Sequence, residues 1–224
     1  ARNFANKIWN ASRFVMMNLD KELMNKYANC KDYSLADKWI LSRMNTVAKE
    51  VTENLEKYEL GIANQKVYDF MWTEFCDWYI ELVKPVFFSD DEKAKGVAYN
   101  VLNTVLTTGL KLLHPAMPFI TEEIFTHLND KEETITLSAW PEYKEELNDK
   151  KAESDMAFVI EAIKNLRNLR AEMNVKPSRK ANVICYISDE AKDAFTAGAS
   201  YIEKLASASN VSFINDKNEV PENA

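Results

Sequence analysis

ARNFANKIWNASRFVMMNL, residues 1–19, decides the fold class. Phe4, Ile8, Ala11, Val15 and Leu19 recur at steps of four, three, four and four, which lines one face of a helix with 3.6 residues per turn. At about 100° per residue, Arg2, Asn6, Asn10 and Arg13 fall together on the opposite side, with Asn3 and Lys7 at its edge. The stretch holds three basic side chains and no acid. One face is therefore core, and the other is a surface of hydrogen-bond donors. Trp9 lies between the two faces. Phe14 lies past the core centre beside Lys7, where it either stacks on an unpaired base or packs on a neighbouring element.

The same period continues down the chain. Ser34, Leu35, Ala36 and Asp37 form a capping box, and Ile40, Met44, Val47, Val51 and Leu55 follow, predicting a helix to about Tyr58, ahead of Gly61. A third helix is expected from Ile62 to Val83, dense in aromatics buried on more than one side and stopped by Lys84-Pro85. Ser89, Asp90, Asp91 and Glu92 start a fourth, which His114-Pro115 ends near Leu113, and after Pro118 a short fifth helix begins at Thr121-Glu122-Glu123 and runs to about Leu128. Thr134–Trp140 reads as extended chain over the bundle. Long helices with short links predict an antiparallel bundle over residues 1–140.

Beyond Trp140 the composition changes. PEYKEELNDKKAE, residues 141–153, is almost wholly polar and charged and reads as a linker. Residues 154–224 read as a small α/β piece: helix 154–172, strand 181–188 with Val183, Cys185 and Ile187 on one face, helix 190–207, strand 211–214. Two short strands make a poor sheet alone, and the helix at residue 1 starts uncapped, so a truncated piece of a longer chain is expected.

Composition excludes several classes. The 224 residues carry only 4 Gly and 6 Pro with 28% charged residues, the usage of a helical protein. Cys30, Cys76 and Cys185 are unpaired by spacing and read as reduced thiols of a cytosolic protein, and no run of about 18 apolar residues could span a membrane. The net charge is -7, yet residues 1–19 carry +3 and residues 161–180 carry +4, leaving -14 for the rest. Basic surface is confined to two segments of an acidic body, an asymmetry that permits an anionic partner at one place only. Catalysis finds no footing. His114 and His127 lie in no nucleophile motif, Glu123 and His127 have no second copy for a di-metal bundle, and no glycine loop for phosphates exists. Glu74, Asp77 and Glu81 read as a solvated acidic face, and Trp39, Trp72, Trp78 and Trp140 as core and clamp residues.

ARNFANKIWNASRF, LADKWILSRMN, VYDFMWTEFCDWYIELVKP, LLHPAMPFITEEIF and SAWP, in this order, resemble the anticodon-binding region of the valyl-tRNA synthetase family. The resemblance continues through AIKNLRNLRAEMNVKPSRKANVICYI. It implies a mainly α fold, an antiparallel class Ia anticodon-binding helix bundle followed by a small, truncated α/β piece. HPxMPFITEE and W-x-x-S-R are shared with the isoleucyl and leucyl relatives, which stand as alternatives beside a helical protein-interaction bundle without RNA affinity. The resemblance further implies a cytoplasmic, monomeric, non-catalytic part of a valine-tRNA ligase that receives the anticodon stem-loop of tRNA(Val). The catalytic and editing domains of the same parent chain would be its other partners, no cofactor would bind here, and ATP and Mg would act in the absent catalytic domain. Arg2, Asn3, Asn6, Asn10 and Arg13 would touch bases or phosphates, Lys7 would supply phosphate charge, and Phe14 or Trp9 would stack. Lys38 and Arg43 would extend the groove, with Arg43 equally a structural ion pair. Arg167, Arg170, Lys176 and Arg179 would form a second patch for the tRNA stem or for docking.

Overall fold

The computed structural model describes residues 2–128, 133–176, 178–188, 191–214 and 216. The chain divides into two compact units, Ala1–Asp149 and Lys150–Ala224. The expected mainly α architecture, a helix bundle and a small α/β piece, is what they form.

The first unit comprises α1 (Arg2–Asn18), α2 (Lys21–Lys26), α3 (Leu35–Glu56), a continuous helical rod, α6 (Glu92–Leu113) and α7 (Pro118–Leu128). The rod consists of α4 (Leu60–Asp69), a π-helical segment (Phe70–Tyr79) and α5 (Ile80–Phe87). Short turns on either side make α3 and α6 antiparallel to the rod. α1 runs parallel to it, since Phe4 meets Tyr68 and Trp72 while Phe14 meets Phe87. Ile40, Phe70, Phe75, Tyr79, Leu102 and Leu106 fill the centre, each contributing about 1.5–3 kcal/mol by leaving water.

Local chemistry sets the ends. Ser34 and Asp37 close the capping box, and the buried Asp37 carboxylate also accepts from the Tyr79 hydroxyl at 2.6 Å, tying the start of α3 to the rod. Asp91 caps α6 by accepting from the Ala94 amide. α3 ends in a Schellman motif, with Tyr58 N–H donating to Leu55 C=O and Glu59 N–H to Asn54 C=O. The left-handed residue there is Tyr58, at φ 60, whereas Gly61 already lies in α4.

Several expectations need correction. The rod does not stop at Lys84-Pro85 but continues through Pro85 to Phe87, because Phe87 is buried against the rings of Phe14 at 5.9 Å and Tyr99 at 5.2 Å. Its middle is widened: the Ile80 amide donates to the Phe75 carbonyl five residues back. Helix α2 carries too few apolar residues to show a period, and it exists because Asp20 accepts from the amides of Glu22 and Leu23 while Gly96 of α6 admits Tyr27 closely. A Cβ at Gly96 would meet the Leu23 carbonyl and the Tyr27 ring. Within α1, Ala11 is only half-buried and Ser12 takes the core position beside Ile8 and Val15. Thr134–Trp140 is not extended throughout, since Ile135–Leu137 forms a 3-10 turn with Ile135 buried.

The chain after Trp140 is no loose linker. Trp140 Nε1 donates to Thr52 Oγ1, the Asn45 amide group exchanges two hydrogen bonds with the Lys144 backbone at 2.8 Å each, and the Asp149 amide donates to Ser42 Oγ. These three fastenings lay residues 140–149 along α3 from its last turns towards its first.

The second unit starts with α8 (Lys150–Glu172), four residues earlier than expected, because Lys150–Glu153 and Lys151–Asp155 pair along the helix. β1 (Ala181–Tyr186), α9 (Lys192–Leu205) and β2 (Ala208–Ile214) follow, and the strands pair in parallel with Val183 opposite Val211 and Cys185 opposite Phe213. The expected start of α9 at Glu190 lies outside the described residues. Phe195 packs on Phe213 at 5.5 Å, and Gly198 lets α9 approach Val159 of α8.

Candidate functional site

α1 presents its polar face beside the lower rod, and the two enclose a groove of about 510 Å³. Asn3, Asn6, Lys7, Asn10, Ala11 and Phe14 form one wall, and Cys76, Ile80, Glu81 and Lys84 form the other. The groove exists because core residues of α1 recur on one side only, which leaves the amides spaced three and four apart along its edge.

The cations near it are already engaged by acids. Lys7 Nζ donates to Asp77 Oδ1 at 2.5 Å and sits 3.8 Å over the Trp72 ring. Trp72 in turn stacks on Tyr68, and both contact Phe4. Arg43 of α3 holds Glu74 with two prongs, Nε to Oε2 at 2.8 Å and a terminal nitrogen to Oε1 at 3.0 Å. Lys84 pairs with Glu81 and lies 5.3 Å from the centre of the Phe14 ring. Glu74, Asp77 and Glu81 are thus more than a solvated face, although Asp77 and Glu81 remain partly exposed. Each of the three acids binds one cation, from α3, from α1 and from the rod itself.

Chemically, the groove offers three carboxamides able both to donate and to accept, one carboxylate, two ammonium groups with partners, and a half-buried aromatic ring. That set matches the mixed donor and acceptor edges of unpaired bases better than it matches a bare phosphate. At its floor, burial pushes the Cys76 thiol up to about 12, so it stays protonated.

The expected site residues separate into groups. Asn3, Asn6, Lys7, Asn10 and Phe14 come together in the groove. Arg2 and Arg13 are exposed but do not line it, and Trp9 sits partly exposed on α1 away from it. Lys38 is exposed on α3 outside the groove, and Arg43 is committed to Glu74. Phe14 packs on Phe87 under Lys84 and lines the same groove as Lys7, two helical turns along α1. Cys76, Ile80, Glu81 and Lys84 complete the groove and were not foreseen. The spacing of the acids at 74, 77 and 81 was the available signal, because it matches a helix edge that a basic helix would lie against.

In the second unit, Arg167, Arg170 and Lys176 line a hollow of about 540 Å³. Arg167 Nε donates to the Leu205 carbonyl, and Arg170 donates to the carbonyls of Lys176 and Arg179. Both guanidinium groups thus hold chain ends in place as well as adding charge. Arg179 is exposed. His114 is absorbed by the bundle, its Nδ1 lying 2.8 Å from the buried Thr121 hydroxyl. Among the described residues no group of three or more His, Cys, Asp or Glu could hold a metal ion, and no helix is long and apolar enough to cross a membrane.

Residues 37–185 match the family model of the anticodon-binding domain of tRNA ligases. The chain is 71% identical over 223 residues to the valine–tRNA ligase of Clostridium perfringens and 67% identical over 224 residues to that of Clostridium tetani, each match covering all of this chain and 25% of the relative. The valine–tRNA ligase of Bacillus subtilis is 42% identical over 92% of this chain. The chain spans about a quarter of the length of these curated relatives.

Proposed function

The chain belongs to the family of anticodon-binding domains of tRNA ligases, and on that premise we propose that the groove between α1 and the rod receives the unpaired anticodon bases of tRNA(Val). The chain then acts as the recognition part of a valine–tRNA ligase, which joins valine to tRNA(Val) with ATP and Mg²⁺ in the remainder of the polypeptide. The valine relatives, with identities up to 71% across this entire chain, favour this reading over the isoleucyl and leucyl alternatives. In this reading the protein works in the cytoplasm as a single chain.

The observation that carries the proposal is the row of Asn3, Asn6 and Asn10 facing Glu81 and Lys84 across the groove. A carboxamide can bind a base edge through two bonds, and a carboxylate accepts from an exocyclic amine. The half-buried Phe14 ring supplies a face against which a base can stack. Arg2 and Arg13, exposed on the crest of α1, are placed for the phosphates on either side of the seated bases.

Titration with the anticodon stem-loop of tRNA(Val), and with a loop whose second and third anticodon bases are exchanged, tests the reading. Loss of a bidentate base contact weakens binding by about 1–3 kcal/mol, so Asn10→Ala should reduce the preference for the valine loop. Equal affinity for both loops in the unaltered chain would refute base recognition here.

A further inference from the structure

A second hollow of the first unit, about 580 Å³, lies between α2, α6 and the end of α7 and shares no residue with the groove. Along α6 it is lined by Asn100, Asn103, Thr104, Thr107, Thr108 and Lys111. These positions recur at helical spacing, so one polar stripe runs down a helix whose other faces are largely core. Lys21 and Asn25 of α2 stand across from it, with Leu128 of α7 at the rim. Among the described residues no carboxylate lines this hollow, in a chain of net charge -7. Asn100 holds α2 in place, its Nδ2 donating to the carbonyls of Met24 and Gly96 at 2.9 Å each.

Much of the remaining polar lining has no partner. Asn103 Oδ1 is buried and accepts no hydrogen bond, which costs stability until something donates to it. Ser12 Oγ and Asn148 Oδ1 are buried without partners too, but neither residue lines this hollow, the groove or the hollow of the second unit. The hydroxyls of Thr104, Thr107 and Thr108 bond no described residue, whereas Thr52, Thr121 and Thr196 each donate to the carbonyl four residues back. Four unpaired polar groups thus meet two ammonium groups in one place.

That set describes a ligand with negative charge and hydroxyl groups of its own. The ammonium groups suit an anion, the Asn103 carbonyl needs a donor, and the threonine hydroxyls serve either way. No aromatic ring lines the hollow, so nothing in it stacks on a base, in contrast to Phe14 in the groove. We propose that this hollow is a second binding site, for a ribose phosphate. The 2′-hydroxyl donates to Asn103 Oδ1, and the phosphate lies against Lys21 and Lys111. An RNA nucleotide outside the anticodon and a free nucleotide both carry this unit, and the lining reads only the part they share.

Nuclear magnetic resonance on the isotope-labelled 224-residue chain tests this by following the backbone amides from Asn103 to Thr108. The titrants are AMP, 2′-deoxy-AMP, the anticodon stem-loop of tRNA(Val), and that stem-loop made 2′-deoxy at every nucleotide outside the anticodon. The ribose forms should shift these amides, and loss of the 2′-hydroxyl should weaken binding about two- to tenfold, the worth of one neutral hydrogen bond. Asn103→Ala should erase that preference without lowering the unfolding temperature, because the oxygen removed is unpaired in the free chain. Lys111→Gln should weaken both ribose ligands. Saturation at lower concentration by the stem-loop than by AMP assigns the site to RNA, and the reverse order assigns it to the free nucleotide. No shift of the α6 amides with either ribose ligand would overturn the proposal, as would equal affinity for the ribose and deoxyribose forms in the unaltered chain. The α6 amides report on this hollow and the Asn10 amide on the groove, so the two readings fail separately.

Discussion

Asp77→Asn tests what Lys7 does. Lys7 Nζ lies 2.5 Å from Asp77 Oδ1, with the lysine side chain 22% and the aspartate 49% exposed. A phosphate seated on the same ammonium would place its oxygen about 5 Å from Asp77, taking one hydrogen-bond length on each side of the nitrogen. Because Asp77 is half in solvent, water's dielectric is the appropriate limit, and the repulsion is then about 0.8 kcal/mol. Removing the carboxylate charge should therefore tighten RNA binding about fourfold at low salt. It should also steepen the dependence of log affinity on log salt by about 0.7, one more phosphate's worth for single-stranded RNA. Stability should drop by no more than about 1 kcal/mol, the usual worth of a surface ion pair. Fluorescence anisotropy with the labelled anticodon stem-loop at several salt concentrations reads affinity and slope together. If affinity and slope stay unchanged in Asp77→Asn and also in Lys7→Ala, Lys7 is a structural cation held between Asp77 and Trp72, and its role in RNA binding is refuted.

Three further outcomes follow from the packing. Tyr58→Gly should raise the stability of the 224-residue chain by about 0.5–1 kcal/mol in thermal unfolding, since the left-handed conformation costs a side chain about 1–2 kcal/mol and glycine returns some of that as chain entropy. Asn45→Ala removes both bonds to the Lys144 backbone and should cost about 2–3 kcal/mol, with limited proteolysis then cutting between residues 141 and 149; an uncut segment would count against the fastening. Cys76 holds its proton more tightly folded than unfolded, about 12 against an ordinary 9.0. Its contribution is therefore full below pH 9 and lost as pH rises from 9 towards 12, at up to about 1.4 kcal/mol per pH unit. Cys76→Ala should flatten that alkaline decline in denaturant titrations, and an unaltered decline would show that other groups cause it.

Much of the bundle was written in residue periods. The faces of α1 and α3 follow from apolar spacing, and the starts of α3 and α6 follow from Ser34, Asp37 and Asp91, because caps and periods are local signals. What escaped depends on distant partners. Nothing near Pro85 announces that Phe14 and Tyr99 will draw Phe87 into the core. The polar run 141–149 looks like a linker until Asn45, Ser42 and Thr52 are seen to hold it. The same holds for the groove. Its α1 wall was legible from an acid-free face, whereas the opposing wall needed the rod's widened turn to aim Glu81 and Lys84 at it.

That widened turn, Phe70–Tyr79, acts as a phase setting between two halves of one rod. Upstream, α4 packs on α3 and its Tyr68 meets Phe4; downstream, α5 supplies Ile80, Glu81 and Lys84 to the groove and Phe87 to Phe14. Deleting one residue inside the segment would turn α5 by about 100° relative to α4. All four side chains would swing away together while α4 kept its seat. A change in length, with no change in the chemistry of any groove residue, is thus enough to rewrite which groups face the groove.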